Sequence, residues 1–81
     1  MDRRKLLRRL SQGAMSNVAF SDVMNLAEGF GFQLTRINGS HHILVHPHIP
    51  ELVNLQNVNG DAKPYQIRQL LRLVERHNLT L

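Results

Sequence analysis

Histidine is the residue type in this sequence best suited to acid–base chemistry, and four of the five histidines lie between His41 and His48. An unperturbed imidazole titrates at roughly pH 6.5, so it can accept and release a proton near neutral pH. RNA carries its own nucleophile, the 2′-hydroxyl group. A base that takes its proton and a cation that stabilises the charge forming at phosphorus are together sufficient for strand cleavage. His41 beside Arg36 fits these roles; the alternative interpretation is that His41 is a hairpin residue near solvent.

Metal binding is the other chemistry that clustered histidines perform. His42 and His46 lie on the same side of a predicted strand, but four residues of strand separate them by about 13 Å, too far to share one ion. His46 and His48 are closer, yet no cysteine or acidic residue lies beside them. The chain has no cysteine, which excludes thiolate nucleophiles and cysteine-based zinc sites. We therefore predict neither a metal site nor a cofactor.

A β-hairpin is predicted to position His41. Asn38-Gly39, the strongest two-residue turn signal, separates the strand segments 32–37 and 40–46. A type I′ turn at these two residues pairs Ile37 with Ser40 and places Arg36 opposite His41. The apolar residues of the two strands then fall in phase on one face, as the pairs Leu34–Ile43 and Phe32–Val45.

Helices are predicted on both sides of this hairpin. Asp2 caps a first helix to about Leu10, and Ser21 caps a second that Gly29 and Gly31 end. Pro47 and Pro50 are predicted to form a loop before a third strand at 52–58. Asn59-Gly60 forms a turn, and Pro64 begins a last helix that runs to about His77. The order α-α-β-β-β-α predicts an α+β fold, with a three-stranded antiparallel sheet packed on helices, like double-stranded-RNA-binding domains.

Charge is segregated along the chain. Residues 1–12 carry five cations and one acid, and residues 63–77 carry four cations and one acid, whereas one cation and four acids lie between them. The cations of both terminal segments repeat at helical spacing, which indicates a polyanionic partner such as RNA. The alternative interpretation is a merely solvated basic surface. Three phenylalanines are assigned to the core and only Tyr65 is expected to be exposed, so recognition of bases by aromatic stacking is disfavoured.

Length and composition limit the architecture. The chain of 81 residues, 42% of them hydrophobic, supports one domain spanning 1–81 and leaves the oligomeric state open. The longest apolar runs are only a few residues, and the start is too charged for a signal peptide. The expectation is a cytoplasmic protein without a membrane segment.

Several motifs resemble those of HicA-type toxins, also called the YcfA-like family. Gly29-Phe30-Gly31-Phe32 is similar to the family's entry to the first strand, and His46-Pro47 to the end of the second. Arg36-Ile37-Asn38-Gly39-Ser40-His41-His42-Ile43 resembles the signature R-x-x-G-S-H-h, and a final basic helix follows. The segment 11–22 and the sequence Leu52–Gln56 depart from the shortest members and resemble a longer subgroup.

The resemblance implies an mRNA interferase, a metal-independent endoribonuclease that is neutralised by a HicB-type antitoxin. It implies that His41 is the catalytic residue, with His42 as the second candidate. The residues predicted to contact RNA are Arg4, Lys5, Arg8, Arg36, Ser40, Lys63, Arg68 and Arg72. A non-catalytic RNA-binding module and a domain that binds an acidic protein are the alternative hypotheses. The nuclease hypothesis requires His41 to be accessible and to face the cationic helices.

Overall fold

Three helices and four strands make up the chain, and a computed structural model describes every residue from Met1 to Leu81. The elements in chain order are α1 (Arg3–Ser11), α2 (Phe20–Gly29), β1 (Gln33–Asn38), β2 (His41–His46), β3 (Ile49–Val58), β4 (Asp61–Ala62) and α3 (Pro64–Arg76). The strands form one antiparallel sheet in the order β1-β2-β3-β4. The predicted α+β class and element order are therefore confirmed, and the short strand β4 is added to the three predicted strands.

One face of the sheet carries the core, and we call it the core face. Alternate side chains of β2 and β3, among them Leu44, Val53 and Leu55, are buried there against all three helices. The helices contribute Leu6, Leu10, Val23, Leu26, Ile67 and Leu70 to this cluster. Because successive strand residues project to opposite faces, His41, Ile43 and Asn54 project from the other side. No helix packs on that side, and we call it the open face.

The helix boundaries follow two kinds of signal. The Asp2 side chain accepts a hydrogen bond from the Arg4 backbone N–H at 3.1 Å, so the predicted cap of α1 is confirmed. The predicted cap at Ser21 is wrong, because Ser21 lies inside α2. The helix begins at Phe20, and the preceding Ala19 provides no side-chain cap. Instead the Phe20 N–H donates to the Gly60 carbonyl at 2.8 Å. Pairing with the segment before β4 therefore sets where α2 begins.

The predicted hairpin register is wrong. Asn38 pairs with His41, so Gly39-Ser40 forms the two-residue turn in place of Asn38-Gly39. Of the two turn residues, Gly39 has a positive φ, +61°, and Ser40 does not, as a type II′ turn requires. A bulge at Thr35, whose hydroxyl donates to the Ile43 carbonyl at 3.0 Å, shifts the pairing again. The observed pairs are Gln33–Val45, Leu34–Leu44, Arg36–Ile43, Ile37–His42 and Asn38–His41.

The predicted loop through Pro47 and Pro50 is also wrong in extent. His46 pairs with Ile49, so only Pro47 and His48 lie outside the strands, and β3 includes Pro50. Strand β4 pairs only with Asn57 and Val58, so the beginning of β3 is an edge of the sheet. A proline is tolerated there because no neighbouring strand needs its missing N–H.

Gly31 and His46 fix the path from α2 into the sheet. Gly31 has φ +99°, and a Cβ atom added there would lie 2.9 Å from Nε2 of His46. His46 is buried, its Nε2–H donates to the Phe30 carbonyl at 3.1 Å, and its Nδ1 accepts from the His48 N–H at 3.1 Å. His46 is therefore a structural residue.

We predict that Gly31→Ala lowers the free energy of unfolding by about 2–4 kcal/mol, from backbone strain and the displaced His46 hydrogen bond. Gly13→Ala is the matched control, since Gly13 has φ +88° and nothing lies within 4 Å of its added Cβ. The Gly13→Ala variant should lose only the free energy that backbone strain costs, about 1–2 kcal/mol. Urea denaturation followed by circular dichroism measures both. Equal losses would contradict the role given to the His46 contact.

Candidate active site

His41 opens strand β2 directly after the Gly39-Ser40 turn, and its imidazole lies half-buried on the open face. Its Nδ1 lies 3.2 Å from the side-chain oxygen of Asn54 on β3. Nε2 makes no hydrogen bond within the chain. The ring is therefore held at one nitrogen and free at the other, the arrangement that a proton acceptor needs.

His42, the second candidate, lies on the core face. Its ring lies tilted against Phe20, with centroids 4.6 Å apart and an interplanar angle of 59°. Its Nδ1–H donates to the Ser40 carbonyl at 3.2 Å, since a carbonyl can only accept. The two adjacent histidines thus sit on opposite sides of the sheet.

The predicted Arg36–His41 pair does not form as expected. Arg36 lies opposite Ile43, two residues beyond His41 along β2. The register change and the Thr35 bulge cause this displacement. Arg36 is exposed, and a diagonal neighbour in a sheet lies roughly 7 Å away between Cβ atoms. It is therefore within reach of a phosphate bound near His41, without contacting the imidazole.

The turn that presents His41 is held by Gln56 and Gln66, which belong to none of the sequence motifs. The Ser40 hydroxyl accepts from the Gln56 side-chain amide at 3.2 Å, and the Ser40 carbonyl accepts from the Asn57 N–H at 3.0 Å. The Gln56 N–H in turn donates to the side-chain oxygen of Gln66 at 2.7 Å. Gln66 is buried in the first turns of α3, so the turn, β3 and α3 form one connected unit.

Two signals in the sequence point to the polar side chains of Asn54, Gln56 and Gln66. Asn54 and Gln56 alternate with apolar residues along a strand, where asparagine is disfavoured. Gln66 lies next to Ile67 on the apolar side of the last helix. A polar side chain at a position of this kind has a specific partner in a folded chain.

The predicted RNA contacts divide into two groups, and the sheet does not bring them to one surface. Lys63 and Arg68 lie at the beginning of α3, the end that Gln66 ties to Gln56 and so to the His41 turn. The Lys63 ammonium also lies 5.8 Å from the centre of the Tyr65 ring. These two cations, with Arg36 and Ser40, belong to the same end of the molecule as His41.

The second group lies toward the other end. Arg4 and Arg8 of α1 line a cavity of about 520 Å³ with Val74 near the end of α3, and Lys5 lies exposed on the same helix. Arg72 lines a smaller cavity beside Glu51, at the beginning of β3. These residues do not share a surface with His41.

The helices themselves lie on the core face, opposite to His41. The expectation that His41 faces the cationic helices is therefore wrong, because β2 places it on the open face. The nuclease hypothesis then depends on Arg36 of β1, the cation that lies diagonal to His41 on the open face, and not on the helices. The other requirement is accessibility, and the His41 ring is half-buried and not enclosed by the core. No three histidine, aspartate or glutamate residues in the chain lie close enough together to hold a metal ion.

A protein-family model described as the HicA toxin of bacterial toxin–antitoxin matches residues 20–75, more than half of the chain. The chain belongs to the HicA toxin family. The match begins at the first residue of α2 and ends within α3, so it contains the hairpin and both candidate histidines of this HicA chain, whereas α1 precedes it. A search of curated proteins found no match. None of the three helices has the length and apolar composition needed to cross a bilayer.

The connection through Gln66 generates a stability prediction. Replacing Gln66 with leucine leaves the half-buried Gln56 N–H without its acceptor, so we expect the free energy of unfolding to fall by about 1–3 kcal/mol. Amide hydrogen exchange at Gln56 should also accelerate. Gln69→Leu is the matched control, because Gln69 is exposed on the same helix and makes no side-chain hydrogen bond. If both variants lose the same stability, Gln66 does not hold β3 to α3.

Proposed function

We propose that this HicA-family toxin cleaves mRNA, with His41 as the general base and without a metal ion. Membership of a toxin family supports the toxin role. The observation that carries the rest is the placement of His41, which follows the Gly39-Ser40 turn, faces the open side of the sheet and keeps Nε2 unpartnered.

The proposed reaction uses the RNA's own nucleophile. Nε2 of His41 takes the proton of a 2′-hydroxyl, and the 2′ oxygen forms a bond to the adjacent phosphorus. The bond from phosphorus to the 5′ oxygen of the next nucleotide breaks, and that oxygen takes a proton from solvent. The products are a 2′,3′-cyclic phosphate and a free 5′-hydroxyl, and the imidazolium then returns its proton to water. General base catalysis of this kind contributes about 10²–10⁴-fold in rate.

Cations near the turn are proposed to hold the RNA backbone. Arg36 lies on the open face with His41 and is proposed to contact the reacting phosphate. The Ser40 hydroxyl is proposed to lie next to the same phosphate. Lys63 and Arg68 are proposed to contact neighbouring phosphates at the same end of the molecule. Arg4, Lys5, Arg8 and Arg72 lie on helices of the core face, away from the His41 turn, so we propose that they contact more distant parts of a longer RNA.

Geometry favours His41 over His42 for the base. The His42 ring lies tilted against Phe20 on the core face. It is half-buried like His41 and its Nε2 is also unpaired, but Arg36 lies on the opposite side of the sheet from it. An RNA strand whose phosphate is held by Arg36 on the open face therefore meets His41 and not His42.

A non-catalytic RNA-binding module remains the second candidate, and one observation favours it. Most of the helical cations lie on the face opposite to His41, so the chain can bind a polyanion there without bringing it to the imidazole. A HicB-type antitoxin is the protein partner that we propose in either case, because the family pairs a toxin with an antitoxin. A domain that binds only an acidic protein is the third candidate.

Three alanine variants separate these candidates. We expect His41→Ala to reduce RNA cleavage about 10²–10⁴-fold, while His42→Ala retains cleavage once its folding is verified. His48→Ala is the matched control, since His48 is an exposed histidine of the neighbouring loop. Cleavage is measured by gel analysis of an end-labelled RNA, in buffer with and without a chelator. Equal cleavage by wild type and His41→Ala would exclude His41 as the base, and RNA binding without cleavage in wild type would select the second candidate.

The division of the cations predicts a difference in salt dependence. In a His41→Ala background, Lys63→Gln and Arg68→Gln should each reduce the slope of log K against log salt by about 0.7 for a short single-stranded RNA. Arg76→Gln is the control, since Arg76 is paired with Glu51 at 3.1 Å and should leave the slope unchanged. Fluorescence anisotropy over a salt series measures the slopes. A larger effect of Arg76→Gln than of Lys63→Gln would contradict the proposed binding end.

A further inference from the structure

Asn54 stands out among the residues that the family motifs do not include. It lies in the middle of β3 between the buried Val53 and Leu55, a position where asparagine is disfavoured relative to β-branched residues. Its direct partner across the sheet is Ile43, which offers no hydrogen bond. The side chain therefore contributes little to strand pairing, and its half-buried amide needs another partner.

That partner is His41. The Asn54 side-chain oxygen lies 3.2 Å from Nδ1 of His41, on the open face. An amide oxygen can only accept a hydrogen bond, so Nδ1 of the imidazole must carry the proton. In a neutral ring with the proton at Nδ1, the lone pair is on Nε2. Nε2 is the nitrogen that makes no bond within the chain.

We propose that Asn54 is a positioning residue for His41, holding the imidazole in the Nδ1–H tautomer so that Nε2 is the base. This inference rests on the proposed function of His41. After Nε2 takes the proton of the 2′-hydroxyl, the imidazolium retains Nδ1–H and the bond to Asn54 persists. The hydrogen bond thus fixes both the orientation and the tautomer before reaction and requires no rearrangement during it.

The surroundings of the pair support a role in orientation. The charged residue that β1 places on this face is Arg36, diagonal to His41, and no carboxylate of β2 or β3 lies beside the imidazole on this face. Gln56, which pairs with His41 across the sheet, directs its side-chain amide to the Ser40 hydroxyl. Asn54 is therefore the side chain that determines which nitrogen of His41 is protonated.

The tautomer is tested without any RNA. In the 15N-labelled full chain at alkaline pH, two-bond 1H–15N spectra should show His41 as the Nδ1–H tautomer. Asn54→Asp keeps an acceptor and should keep this tautomer, whereas Asn54→Leu should lose it. Asn38→Leu is the matched control, because Asn38 pairs directly with His41 on β1 but makes no side-chain hydrogen bond to it. A dominant Nε2–H tautomer in wild type would overturn the proposal.

Kinetics test the consequence for cleavage. We expect Asn54→Leu to lower kcat at least about tenfold with little change in KM, a smaller loss than in His41→Ala. Asn54→Asp should restore cleavage, and its carboxylate, by stabilising the imidazolium, should move the rising limb of the pH–rate profile upward by about one pH unit. Asn38→Leu should cleave like wild type. Wild-type kcat and an unchanged pH profile in Asn54→Leu would overturn the positioning role.

The spectra and the kinetics together distinguish a failure of this proposal from a failure of the proposed function of His41. If wild type does not cleave RNA, or if His41→Ala cleaves as well as wild type, the proposed function fails, and the spectra still decide whether Asn54 sets the tautomer. If cleavage depends on His41 but Asn54→Leu changes neither tautomer nor rate, the nuclease proposal stands and the role of Asn54 is rejected.

Discussion

The two-residue turn at Gly39-Ser40 is the constraint on which the candidate site depends. Side chains alternate along a strand, so moving the turn by one residue along the chain changes which residues of β1 and β2 meet. With Gly39 at φ +61° and Asn38 paired to His41, the strand that follows sends His41 to the open face and His42 to the core. The different partners of the two histidines follow from this: His41 bonds to Asn54 on the open face, and His42 packs against Phe20 on the core face.

The turn is fixed in place by polar contacts as well as by backbone pairing. Ser40 accepts hydrogen bonds from Gln56 and Asn57, and the Gln56 N–H donates to the side chain of the buried Gln66 of α3. Strand β4 is too short to satisfy this N–H, so a helical side chain does so instead. The same contact fixes the beginning of α3, with Lys63, relative to the hairpin. A single chain of hydrogen bonds thus positions both the imidazole and the nearest helical cations.

Much of the fold could be predicted from local patterns, and the failures have a common cause. The spacing of Ile67 and Leu70, the cap at Asp2 and Pro64 at the first turn of α3 each depend on neighbours in sequence, and each was predicted correctly. The register of the hairpin depended on a choice between Asn38-Gly39 and Gly39-Ser40. Both are acceptable two-residue turns, and the contacts from Gln56 and Asn57 that favour the second come from a distant strand. Sequence patterns also identified the family and selected His41 as a candidate, but could not reveal Asn54 as its partner, because that contact depends on how β2 and β3 align.

The thickness of the domain limits how the helical cations can act with His41. The fold measures 30 × 28 × 20 Å, whereas charges in physiological salt are screened over about 8 Å. Cations on the core face therefore contribute little to the potential felt by a phosphate at the open face. For one RNA to meet both, its backbone must pass around the end of the sheet where the His41 turn and Lys63 lie. A flexible single strand can follow that path, whereas a stiff duplex contacts one face at a time. From this separation of imidazole and cations by the sheet we infer that the cleavage proposed for His41 favours unpaired RNA.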